Sequence, residues 1–325
     1  MTKPSRLKTI KEFKLRTAYF ETLKETSAAV NSFMAEFFSS RFQLVPELGE
    51  QLMDRYASGK TQLRPSSVRF AYELVGGEDW QATVPAGASL VLKEISYYCL
   101  DDVIDAGAEQ EIALMSLPFL SLSYGVISEL PFSAEQVRGV LQELLMLDEL
   151  LDQGFIIEQN MSSEEDYLQR LYGYNFWEQA LRMGGILGEA SQEDVYSLGE
   201  IGKNIGMAIM LTNDTWDFAK KLEDFKRGIH TGPIDWALSN STREDASTLE
   251  ELFGKSELSE EEIEEVRRIA VAAGTLDYGR QMSKQFCDTA VDMLSQFPES
   301  RARDFLGFAT RVTQKNKFYD MLEGK

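Results

Sequence analysis

Three carboxylates, Asp101, Asp102 and Asp105, follow directly on an apolar and aromatic run of Val91, Leu92, Ile95, Tyr97, Tyr98 and Leu100. The run repeats with the period of a helix rather than of a strand. On a helix Asp101 and Asp105 lie one above the other, with Asp102 roughly 100° around from Asp101. Like charges so placed repel unless a cation lies between them. Oxygen ligands with no His or Cys beside them suit magnesium, which is held by one or two carboxylates together with water and substrate phosphates. An isolated DDxxD is more often an ordinary acidic helix end. A second copy changes the balance: Asn213-Asp214-Thr215-Trp216-Asp217 follows another apolar helical stretch, Ile205 to Leu211. Asn213 and Asp217 share a face as Asp101 and Asp105 do. These four are the metal-facing candidates, and Asp102 and Asp214 are the supporting members of each motif. Two helices turning such faces toward each other would enclose a polynuclear magnesium site above an apolar cavity. A ligand with a diphosphate head and a hydrocarbon tail fits it.

The elements that must position these groups all read as helices. Residues 7–43 interleave charges with Ile10, Phe13, Leu15, Phe20, Leu23, Val30, Phe33 and Phe37, and Pro46 and Gly49 break the pattern. A shorter helix over 47–57 leads to Ser58-Gly59-Lys60. Pro65 then marks a helix start at its first position, and Gly76-Gly77 ends that helix after Val75. A helix over 85–106 carries the first motif near its C-terminal end. Further helices are predicted over 111–129, 133–153, 163–188, 191–222, 233–239, 243–253, 259–295 and 299–322. No segment alternates with period two, so periodicity alone predicts an all-α protein. There is no Pro/Gly/Ser-rich linker, low-complexity run or internal repeat, and a single domain over 1–325 is expected.

Composition narrows the partners. A formal charge of −20 repels nucleic acid and anionic membrane surfaces. It leaves an anionic substrate to be drawn in by bound cations rather than by the overall field. Cys99 and Cys287 are expected reduced and buried. The first residues carry charge with no apolar segment behind them, so the protein is expected to be cytoplasmic. Between Glu111 and Glu129 lie seventeen uncharged residues, interrupted by Pro118 and Gly125; this reads as a buried core helix rather than a membrane span.

The ordered set of motifs resembles the trans-isoprenyl diphosphate synthase (polyprenyl synthetase) family and its class I terpene synthase relatives. Besides the two aspartate motifs, Leu63-Arg64-Pro65 is similar to the family's LRP, and Asp224 through Pro233 (DFKRGIHTGP) to its D-x-x-x-G-K-x-T-L-P. The resemblance spans roughly residues 59–238. It implies a class I isoprenoid-synthase-like helical bundle around a central apolar cavity, a homodimer, and magnesium-dependent ionisation of an allylic prenyl diphosphate. In that chemistry metals and cationic side chains take up the charge developing on the leaving diphosphate, and no nucleophile or His is needed. Lys220, Lys221, Lys226 and Arg227, close after the second motif, are the candidate diphosphate cations; one or two of them are expected to reach the site. Tyr97, one turn before Asp101 and about 6 Å deeper, would floor the cavity and suit tails up to about farnesyl length. Phe176, Trp177, Trp216 and Phe218 are candidate linings for a carbocation, although aromatics at helical spacing are more often core.

The departures from the family gather on one pocket. Chain elongation needs a basic site for isopentenyl diphosphate, the second substrate. Here Lys60 falls one position early, Thr61 and Gln62 stand where the family has Lys and Arg, and Arg64 alone is kept. Glu94 occupies the position of a family residue that is commonly His, and a carboxylate there would repel a diphosphate. The Arg-Arg pair after the first motif is Ala106-Gly-Ala-Glu-Gln-Glu111. The Lys-Thr pair is Tyr172-Gly173 or Tyr174-Asn175, and the Phe-Gln pair is Ile209-Met210; apart from this pocket, among the lysines the family sets against the allylic diphosphate, the usual GK is Gly228-Ile229. Asn213 resembles the first position of the terpene synthase motif N-D-x-x-S-x-x-x-E, whose Ser and Glu are Asp217 and Lys221 here. The leading expectation is therefore an enzyme that ionises an allylic diphosphate and cyclises the cation, quenches it with water or passes it to another acceptor. An ordinary elongating synthase is the alternative. A catalytically silent partner subunit would have no use for the retained carboxylates, and a di-iron bundle would ask for Glu-x-x-His pairs.

Overall fold

The computed structural model describes residues 6–43, 46–58, 63–106, 110–158, 160–161 and 164–314; a few side chains within these helices, those of Asp102 and Asp105 among them, lie outside the description. Lys60 with Thr61 and Gln62 falls outside it altogether. Among the described residues there are fifteen α-helices and no strand. The chain packs as two compact units, each assembled from separated stretches.

The first unit comprises residues 1–146, 176–199 and 297–308. It holds α1 (Arg6–Arg41), α2 (Pro46–Ser58), α3 (Leu63–Leu74), α4 (Val84–Ala106) and α5 (Gln110–Gly125), and most of α8 (Phe176–Leu187) packs on α3. α3 begins two residues before Pro65, which stays in the first turn, where a missing N–H costs nothing. Small residues set the helix spacings. A Cβ on Gly184 would meet the Val68 carbonyl oxygen and lie 2.6 Å from Ala71 Cβ, so α8 sits directly on the α3 backbone. A Cβ on Gly87 would lie 2.9 Å from Pro65 Cα, which brings α4 equally close to the start of α3. Tyr19 ties α1 to this core through ring contacts with Phe70, Phe305 and Phe308.

The apolar stretch expected to be a buried core helix is buried on one face only. Phe119, Val126 and Ile127 are fully buried, whereas Leu114 and Leu117 are 64% and 60% exposed. Ile112–Glu129 is long and apolar enough to cross a membrane, and its last four residues, Val126–Glu129, tighten into a 3₁₀ turn.

The second unit comprises residues 147–175, 200–296 and 309–325. It contains α7 (Glu164–Gly173), α10 (Glu223–Arg227), α11 (Gly232–Asn240), α12 (Arg243–Leu252), α13 (Glu260–Ala272) and α14 (Thr275–Leu294), together with parts of α6 (Ala134–Glu158), α9 (Gln192–Trp216) and α15 (Arg301–Gln314). Phe218, Leu222, Phe225, Ile234, Leu249, Val266 and Ile269 form one apolar cluster. Phe218 is therefore core packing against Phe225 and not a cavity lining.

Three predicted helices are interrupted. The helix expected over 163–188 is α7 and α8, because the Asn175 side chain donates to the Lys203 carbonyl at 2.8 Å and occupies the space a Gly206 side chain would need. The one expected over 259–295 breaks at Gly274, whose φ of +73° favours glycine. The one expected over 191–222 ends at Trp216, and a π-helical turn over Asp217–Lys221 replaces its last part. Cys99 and Cys287 are both buried and form no disulfide.

Candidate functional site

In the first unit α4 presents Glu94, Tyr98 and Asp101 at intervals of four and three residues, which places them on one helix face. The close approach of α4 to Pro65 brings the neighbouring Arg64 within reach of that face. Arg64 Nη2 stands 2.9 Å from Glu94 Oε1, and the Tyr98 hydroxyl donates to the same oxygen at 2.9 Å. The Arg64 guanidinium also lies 5.6 Å from the Phe176 ring centroid. Glu94, 1% exposed, is thus a buried counter-ion. Arg64 is engaged by it rather than open to a phosphate. Burial, then the charge of Glu94, raises the Tyr98 phenol well above its ordinary range, and Asp101 adds to the effect. Tyr97 is buried and Asp101 partly buried. Asp102 and Asp105 belong to the same helix, with side chains outside the described set.

In the second unit the end of α9 is fixed from behind. Thr212 and Ser283 hydroxyls lie 3.1 Å apart, and the absence of a side chain at Gly279 lets α14 close over Thr215. Asn213 is exposed, and Asp214 points inward and is almost fully buried. Asp214 Oδ2 accepts from the Tyr167 hydroxyl and from Arg170 Nη1, both at 3.0 Å. Arg170 Nε donates to Glu158 Oε2 at 2.7 Å. These contacts make Asp214 a positioning residue for the motif. Sequence reasoning missed Tyr167, Arg170 and Glu158: on amphipathic helices an arginine or glutamate reads as a solvated face, and nothing local pairs residue 170 with residue 214.

Asp217 opens the π turn. The Leu222 N–H donates to its carbonyl oxygen at 2.8 Å, and Leu222 adopts φ +61°, a left-handed conformation uncommon outside glycine. That turn aims the next two amides back at the Asp217 carboxylate, with Glu223 N–H at 3.3 Å from Oδ1 and Asp224 N–H at 3.1 Å from Oδ2. π turns and left-handed non-glycine residues concentrate at functional sites. Burial raises Asp214 and Asp217 above the usual carboxylate range, although hydrogen bonds oppose it. Burial, then the charge of Asp214, pushes Asp224 up to about 8.

Among the described residues no three His, Cys, Asp or Glu side chains stand ready-grouped around a metal position. The donor chemistry nevertheless fits a hard cation. Each Asp217 oxygen accepts one long amide bond and keeps a lone pair, Asn213 beside it is exposed, and the crowding of Asp214, Asp217 and Asp224 is the kind a divalent ion relieves. The candidate cations divide. Lys221 Nζ is 3.3 Å from Glu223, and Arg227 Nη2 is 3.5 Å from Glu158. Lys220 is exposed, its carbonyl accepting from Arg267, and Lys226 is partly buried in α10. At the positions of the missing Lys-Thr pair, Gly173 packs on Gly154 and the Lys203 ammonium covers the Tyr172 ring at 4.7 Å. His230 is held by Asp235 at 2.6 Å and by the Phe253 ring.

Residues 120–270 match the family model described as polyprenyl synthetase. The geranylgeranyl diphosphate synthase of Saccharolobus solfataricus is 22% identical over 305 residues, covering 83% of this chain and 89% of that protein. Among solved structures, geranylgeranyl pyrophosphate synthetase from Pyrococcus horikoshii superposes with a TM-score of 0.83 at 19% identity, over 93% of this chain and 99% of the other. A geranylgeranyl pyrophosphate synthase from Corynebacterium glutamicum, complexed with isoprenyl diphosphate and magnesium, superposes at 0.81 with 16% identity, over 90% and 99%. Through a family match over its middle and an all-α fold shared over nine-tenths of its length, this chain is similar to the polyprenyl synthetases.

Proposed function

We propose that this protein is a magnesium-dependent enzyme that ionises an allylic prenyl diphosphate of the geranyl, farnesyl or geranylgeranyl class, and that it does not elongate that substrate with isopentenyl diphosphate. Asp101 and Asp105 in the first unit, and Asn213 and Asp217 in the second, are the proposed magnesium ligands. Magnesium, when bound, would stabilise the negative charge left on the diphosphate oxygen, which takes the electron pair of the breaking carbon–oxygen bond. The chain's own residues prepare for this. Tyr167 and Arg170 hold Asp214, the π turn aims Asp217, and Lys220 and Lys226 offer cationic contacts to the diphosphate. The allylic cation is then cyclised, captured by water or passed to another acceptor, as a terpene synthase would do.

The observation that carries the non-elongating part is the Arg64–Glu94 pair. The one basic residue kept from the family's isopentenyl pocket is bound to a carboxylate that the family does not have there. An elongating synthase is the second reading, favoured by the names of the relatives, which include geranylgeranyl diphosphate synthases. We further propose a cytoplasmic homodimer. The exposed Leu114 and Leu117 on α5 support an apolar face for a second copy.

Incubation with magnesium and each allylic diphosphate, with and without labelled isopentenyl diphosphate, separates the readings. Diphosphate release from the allylic substrate alone, with no label entering longer chains, is the expected result. Accumulation of labelled longer prenyl diphosphates would make the protein a conventional synthase.

A further inference from the structure

The Arg64–Glu94 pair is poorly made for a structural bridge. One contact joins the two groups, Nη2 to Oε1, while Arg64 Nε and Glu94 Oε2 are both buried without a hydrogen-bond partner among the described residues. A buried ion pair adds little net stability even when its geometry is complete, and unsatisfied buried polar atoms reduce that further. What the pair does achieve is electrostatic. A carboxylate 2.9 Å away cancels the guanidinium, and Tyr98 holds that carboxylate in place from the next turn of α4.

We propose that Glu94 is the residue that decides whether this site admits an anion: the diphosphate-binding capacity of Arg64 is masked by Glu94, not lost, and removing that one charge unmasks it. The inference rests on the reading that isopentenyl diphosphate is not used, and it narrows that reading. Of the several departures from the family, it makes one side chain decisive. In Glu94→Gln the amide oxygen still accepts from Arg64 and Tyr98, so the local geometry is kept. The guanidinium is no longer paired with a charge, and its accessible side can pair with a pyrophosphate oxygen.

The test is calorimetric titration of inorganic pyrophosphate, with chelator present so that no metal contributes, into the full-length wild type, Glu94→Gln, and Glu94→Gln combined with Arg64→Leu. Glu94→Gln is expected to bind at least tenfold more tightly than the wild type, the size of one charge-assisted hydrogen bond, and the double variant to return to the wild-type value. Thermal melts of each variant establish that it is folded, and Glu94→Ala replaces Glu94→Gln if the amide variant is not. Equal affinity in wild type and folded variant overturns the proposal, as does a gain that survives Arg64→Leu. If neither Glu94 variant folds, the pair is structural and the proposal fails. A wild type that consumes isopentenyl diphosphate defeats the functional reading instead, and leaves this comparison of affinities to be judged by itself.

Discussion

Glu158 divides its carboxylate between two arginines, with Oε2 accepting from Arg170 Nε at 2.7 Å and Oε1 lying 3.5 Å from Arg227 Nη2. Arg170 in turn reaches Asp214, so a single guanidinium is the counter-ion of two almost fully buried carboxylates. Removing one partner of a buried pair leaves the other uncompensated, at a cost of about 3–5 kcal/mol. Arg170→Leu is therefore expected to lose about that much stability in urea denaturation. Asp214→Asn, which keeps an acceptor for Tyr167, is expected to lose less. A loss under about 1 kcal/mol for Arg170→Leu would mean that the network is not closed as described.

Asp217 has two duties that substitution separates. Asn keeps only one of the two oxygens that cap the Glu223 and Asp224 amides, so Asp217→Asn is expected to hold the turn at Leu222 through one of the two bonds and to lose about 1 kcal/mol of stability. The same change weakens a proposed magnesium ligand and is expected to cut diphosphate release by roughly a hundredfold or more. Asp101→Ala, with no cap to preserve, is expected to cut it by several orders of magnitude. Near-normal release by either variant in magnesium would remove the proposed metal ligands.

Glu143 supplies a pH dependence of its own. Burial, reinforced by the nearby Glu178 and opposed by Arg182, raises its carboxyl to about 7. The folded state thus holds a proton that the unfolded chain releases at its ordinary carboxylate value. Stability from this group is fully present below that unfolded value and declines as pH rises through about 7. Glu143→Gln, which cannot ionise, is expected to be more stable than the wild type at pH 8 by about 1–3 kcal/mol and equal to it at pH 4. Parallel melting curves that differ by the same amount at both pH values would refute this assignment.

The helical class and the two motifs were legible because periodicity and i, i+4 spacing are local properties, written in Val91 to Asp105 and in Ile205 to Asp217. The breaks were not. Nothing within 163–188 announces that Asn175 will seat on Gly206, because that contact joins residues about thirty positions apart. The π turn at Asp217 has no propensity signal, since the left-handed residue is a leucine buried with Phe218 and Phe225. Glu94 stands out as an acid where the resemblance implies a basic pocket, and its charge alone allows only repulsion. That it would be neutralised by the retained Arg64 depended on Gly87 bringing α4 against Pro65.

Chain-length preference is expected to turn on Tyr97. It is buried on α4 one helical turn, about 6 Å, before Asp101, and in the proposed site that is the level to which a prenyl tail would extend. An aromatic ring at that level limits the tail, and an alanine would open room for roughly one more isoprene unit. Tyr97→Ala is therefore expected to raise diphosphate release from geranylgeranyl relative to farnesyl diphosphate by tenfold or more, with Tyr97→Phe keeping the wild-type ratio. The alanine variant is also expected to lose about 3–5 kcal/mol of stability, as large-to-small changes in cores do, so the ratio of two substrates on the same preparation is the proper readout. A ratio unchanged in a folded Tyr97→Ala protein would assign Tyr97 to packing alone and move the floor of the cavity elsewhere.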